Sequence, residues 1–92
     1  MADYTDSPLM PGTRVRVRQD VTYGPGPWPA EPTGTLEPIG PEPFTEIETQ
    51  FGHDRMYFVR FDEPQHDVDG DGPYESSQVL GKYLEALPSQ RP

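Results

Sequence analysis

The clearest alternation in the chain runs from Thr13 to Arg18, where TRVRVR places Val15 and Val17 on one side and Arg14, Arg16 and Arg18 on the other. Successive side chains of a strand point to opposite faces, so the segment predicts a strand with its valines inward and an arginine strip in solvent. Pro11-Gly12 ahead of it is a turn signal. A second strand is predicted over Thr33–Ile39, with Gly34 marking a bulge or a close backbone approach and Pro38 marking an edge or the strand end. Met56–Asp62 carries Tyr57, Val59 and Phe61 on one face and Met56, Phe58 and Arg60 on the other. A strand apolar on both sides over part of its length is expected to be the most buried one. Its Phe58 then needs a cover, and the loop around Trp28 is expected to supply it. Within Glu75–Gly81, Val79 and Leu80 read as a short fourth strand ending in a tight helical turn at Gly81, and Tyr83–Glu85 as a short fifth strand stopped by Pro88.

Two stretches lack a single period. Between Gln19 and Pro32 the prolines and glycines of VTYGPGPWPAEP deny both helix and ladder hydrogen bonds, which leaves a long loop with Tyr23 and Trp28 embedded in it. From Gly40 to Arg55 the apolar residues Phe44, Ile47 and Phe51 suit a short amphipathic helix, while Thr45, Ile47 and Thr49 suit a strand. Both readings stay open, with a long, partly ordered loop as the intermediate form. Residues 1–10 are polar and aperiodic and are expected to form a flexible arm, residues 11–88 one domain, and residues 89–92 a tail.

Composition narrows the picture to a thin core. A chain of 92 residues is one domain by size, and a domain that small buries only about 60–65% of its unfolded surface. With 13 prolines and 9 glycines, much of the chain must be turn and loop. The absence of cysteine excludes disulfides, thiolate nucleophiles and cysteine-ligated metal centres. No basic start followed by an apolar run and no span-length apolar stretch occurs, so the expectation is a soluble, cytoplasmic protein without membrane contact.

Charge then orders the candidate chemistry. Sixteen acidic residues against seven basic ones give a net charge of −9, which repels phosphate backbones and demotes nucleic-acid binding. The exception is the strip of Arg14, Arg16 and Arg18 with Arg60, which reads either as an anion or acidic-partner site or as a solvated face paired with carboxylates of neighbouring strands. Trp28 and Tyr23 read either as lids on the thin core or as a partner-contact surface, since tryptophan is enriched at binding hot spots. The sharpest metal signal is Asp67-Val-Asp-Gly-Asp-Gly72. Asp67, Asp69 and Asp71 fall at positions one, three and five of a calcium loop, with glycine at six. The continuation fails, because position seven is Pro73 and position twelve is Gln78 rather than a bidentate glutamate. The other reading of this segment is a polar hairpin loop. His53 and His66 each precede an aspartate, a weak hint of a base or metal site, but no nucleophile elbow, phosphate loop or zinc helix accompanies them.

Gly12, Val15 and Val17 of the first strand, Val59-Arg60-Phe61 of the central one and Tyr83-Leu84-Glu85 at the close resemble the strand cores of a small SH3-like barrel. More narrowly, the arrangement over Pro11–Leu87 is similar to the accessory barrels of photosystem I, of ferredoxin–thioredoxin reductase (its variable chain) and of the nitrile hydratase beta subunit. The resemblance implies an all-β, five-stranded SH3-like barrel with long Pro/Gly-rich loops. Its motifs lie in strand cores, so they speak for fold, and the partners of those families are not carried over. The expectation is a non-enzymatic, cofactor-free accessory or protein-binding module of acidic character. The alternative is a weak calcium-binding loop protein using Asp67, Asp69 and Asp71.

Overall fold

A computed structural model describes residues 8–19, 28–50 and 52–88. The fold is all-β: six antiparallel strands, β1 (Arg14–Val17), β2 (Thr33–Glu37), β3 (Thr45–Thr49), β4 (Gly52–Gln65), β5 (Tyr74–Leu80) and β6 (Leu84–Ala86), with a 3₁₀ turn at Gly81–Tyr83 before the last. This corrects the expected count of five. The period-two reading of Thr45, Ile47 and Thr49 prevails over the helical one, because this segment pairs with the first part of β4 from Thr45 opposite Met56 to Thr49 opposite Gly52.

The long β4 is the axis of the sheet. Met56 faces Thr45 on one side and Leu80 on the other, and Phe58 faces Glu37 and Gln78. Strands β2 and β3 therefore lie end to end along one edge of β4, and β5 occupies the opposite edge. Beyond β2 comes β1, and beyond β1 comes β6, with Val15 opposite Ala86. The pairing brings the first and last strands together but leaves the sheet open, since among the described residues β5 pairs only with β4.

Alternation decides what faces inward. Val15, Val17, Leu36, Tyr57, Val59, Phe61 and Val79 are buried together with Trp28, and Leu9, Phe44, Tyr83 and Leu84 pack around them. Gly34 is the close approach that the sequence suggests: a methyl built there would overlap the Arg60 carbonyl oxygen and lie 2.8 Å from Val59 Cγ1. Only glycine lets β2 cross β4 so tightly. The end of the expected arm touches the domain. Leu9 packs on the core and its N–H donates to the buried Tyr57 hydroxyl at 3.1 Å. Residues 1–7 and the expected tail at 89–92 lie outside the described residues.

A buried carboxylate sets the turn between β5 and β6. Asp54 is 4% exposed, and its two oxygens accept from the Arg55 N–H at 2.7 Å and the Lys82 N–H at 3.3 Å. Gly81 leaves room for it, because a methyl there would lie 2.8 Å from Asp54 Oδ1. A buried ionisable group needs such donors to stay in place.

Candidate partner-binding surface

Trp28 is reached by a turn that β1 holds in position. The Glu31 N–H donates to the Trp28 carbonyl at 3.1 Å, and Glu31 adopts φ 51°, the left-handed region that disfavours a side chain. Three donors stabilise that conformation: Arg16 Nη1 reaches the Glu31 carbonyl at 3.0 Å, while the Gln19 N–H at 2.9 Å and Arg18 Nε at 3.3 Å reach its carboxylate. The Gln19 amide, aided by Arg18, holds that carboxyl below its ordinary range.

The turn delivers the indole to the inside of the sheet. Trp28 is 5% exposed, with its ring 4.9 Å from Phe61 and 5.7 Å from Tyr74, both edge to face. Of the two readings of Trp28, burial favours the lid on the core over an exposed contact residue. One expectation is corrected: Trp28 does not cover Phe58, which lies on the opposite face of β4 between Glu37 and Gln78. The half-buried Phe58 is instead flanked by its cross-strand neighbours. Tyr23, the companion candidate, lies outside the described residues.

Trp28 does wall a pocket. An apolar recess of about 180 Å³ opens between the ends of β1 and β5, lined chiefly by Val17, Trp28, Met56, Val79, Leu80 and Tyr83, with Arg18 and Gln78 at its rim. It lies where the sheet fails to close. Apolar recesses rimmed by a few polar groups are the usual form of binding sites.

Three arginines of the strip, Arg14, Arg18 and Arg60, are paired with carboxylates across the strands, and Arg16 reaches the Glu31 carbonyl, which favours the solvated-face reading. Arg14 donates to both Asp62 oxygens at 2.8 and 2.6 Å and to Thr35 Oγ1 at 2.8 Å. Arg18 bridges Glu31 and Glu85, and Arg60 pairs with Glu37 at 2.7 Å. The Arg14 guanidinium, with Thr33, pushes the Asp62 carboxyl down to about 2. These are exposed pairs, so each contributes little to stability. A polar cleft between Arg16, Glu31, Thr33, Asp62 and Glu63 lies beside them.

The acidic loop draws its carboxylates together. Oxygens of Asp67, Asp69 and Asp71 lie within 4.8 Å of one another. Asp67 Oδ1 already accepts the N–H groups of Asp69 at 3.0 Å and Asp71 at 2.9 Å, so the loop has an internal reason for its first aspartate. His53 and Asp54 do not form a dyad. Asp54 turns inward, while the exposed His53 sits between Glu46 and Glu48, whose hydrogen bonds, Glu48 first, raise its pKa. His66 is exposed in the loop after β4.

Sequence reasoning missed Asp54 and Glu31. A lone acid in an alternating strand gives no sign of burial, and nothing in WPAEP signals a positive φ. No helix among the described residues is long and apolar enough to cross a membrane. Comparison with known proteins finds no matching family model, no matching curated protein and no matching solved structure.

Proposed function

We propose that this chain is a non-enzymatic protein-binding or accessory module, built as an acidic SH3-like barrel, whose contact surface is the recess walled by Trp28 rather than an exposed Trp28 itself. The observation that carries the reading is that apolar recess, open to solvent at the end of β5 and floored by core side chains. The pairing of β1 with β6, which sets the first and last strands side by side, supports the barrel reading, although the described strands leave the sheet open. Cytoplasmic residence belongs to the same proposal.

The test is capture from native lysate. Because Trp28 is a core residue, the control variant is Leu80→Glu, which puts a charge at the half-buried rim. The reading expects a partner that the wild type retains and Leu80→Glu loses, while Glu42→Lys on the far hairpin retains it. Equal capture by all three sinks it. A second reading, calcium held by Asp67, Asp69 and Asp71, is favoured by the convergence of their oxygens.

A further inference from the structure

The recess does not stand alone, because it lies at the end of a sheet edge that no other described strand pairs. Among the described residues β5 pairs only with β4, and no backbone hydrogen bond joins Tyr74–Leu80 to any other segment. Its other edge thus presents a row of main-chain donors and acceptors running from the acidic loop to the recess. The segment itself is acidic, with Arg60 near Glu75 and Arg18 at the recess rim as the cations beside it. From Phe61 to Gly81 the chain carries Asp62, Glu63, Asp67, Asp69, Asp71 and Glu75 and no lysine or arginine. Of these, Asp62 is neutralised by Arg14, Glu75 on β5 feels Arg60, which is itself bonded to Glu37, and the three loop aspartates precede β5. Val68 and Tyr74 add exposed apolar surface at the same end.

Resting on the protein-binding reading, we propose that the partner supplies an extended, basic segment that adds as a strand to the free edge of β5. Its lysines or arginines lie toward Glu75 and the aspartate loop, and one apolar side chain enters the recess between Val17, Trp28, Leu80 and Tyr83. Strand addition obtains affinity from main-chain hydrogen bonds and selectivity from a side-chain pocket at one register. The net charge of −9 favours a cationic segment and opposes a second copy of this chain in the same place.

The probe is a blocked peptide alternating lysine with valine and leucine, titrated into the full chain while backbone amides are followed by NMR. The proposal expects the β5 amides from Glu75 to Leu80 to shift and the outward-facing ones to exchange more slowly. A glutamate-for-lysine peptide is expected not to bind. Two further peptides, N-methylated on alternate amides in opposite registers, separate strand addition from charge attraction. One register should lose binding by at least about fivefold and the other keep it, because only one set of amides faces β5. Equal behaviour of the two, or shifts confined to Asp67–Asp71, overturns the proposal. So does absence of binding at millimolar peptide. If Leu80-dependent capture from lysate persists in that case, the protein-binding reading stands and only the basic-strand inference falls.

Discussion

Replacing Trp28 by alanine removes the largest of the eight buried apolar side chains among the described residues. The indole is 95% buried by its exposure of 5% and meets Phe61 and Tyr74 edge to face. Truncating a buried tryptophan costs about 3–5 kcal/mol, the lost transfer energy plus the cavity left behind. A domain of this size has roughly 5–14 kcal/mol in all, so the variant forfeits a large share of it. At about 4–8 °C per kcal/mol, the thermal midpoint falls by at least about 12 °C. Urea unfolding followed by circular dichroism measures both proteins, since the variant lacks the sole tryptophan. Trp28→Phe keeps an aromatic edge for Phe61 and costs less than alanine. A loss below about 1 kcal/mol for Trp28→Ala, the range of a surface substitution, refutes the placement of the indole in the core.

Four further outcomes follow from the same geometry. Gly34→Ala forces a methyl against Arg60 and Val59 and should destabilise by about 1–3 kcal/mol or more, read as a lower urea midpoint with unchanged slope. Asp62, held down at about 2 from 3.8, adds stability that is present above the unfolded value and lost as pH falls through the range between the two. Because the pair is about two-fifths exposed, the effect is under about 1 kcal/mol, and Asp62→Asn should flatten the acid limb of the stability profile. His53 has a raised pKa, so its contribution to the β3–β4 hairpin is complete below the unfolded histidine value and fades as pH rises through the folded one. NMR titration should show that pKa moving down in a Glu46→Gln, Glu48→Gln double variant. Millimolar calcium should shift the amides of Asp67–Glu75 if the aspartate loop takes a cation, and leave them fixed if it is only a hairpin cap.

What the sequence disclosed, and what it hid, follows from where each signal resides. β1 was legible because Val15 and Val17 alternate with arginines, and the inward face of β4 because Tyr57, Val59 and Phe61 repeat at period two. β3 was ambiguous because its only apolar residue is Ile47, and an exposed acidic strand carries no buried face to mark its period. The fate of the arginines was open because their partners come from far along the chain: Asp62 lies 48 residues from Arg14, and Glu85 lies 67 from Arg18. The direction of Trp28 was not readable from the prolines around it. That direction depends on Glu31, whose left-handed conformation is fixed by Arg16, Arg18 and Gln19 only once β1 and the start of β2 are side by side. The recess was equally hidden, since its walls come from β1, the Trp28 turn, β4, β5 and the 3₁₀ turn.

The most direct test of the contact surface is site-specific photocrosslinking in the native lysate. A photoreactive residue replaces the exposed Gln78 at the rim of the recess on β5, and a second variant carries it at the exposed Glu42 in the turn before β3. The account predicts a discrete protein adduct from position 78, weakened by added salt, and none from position 42. Equal labelling at both positions, or an adduct at 42 alone, contradicts it.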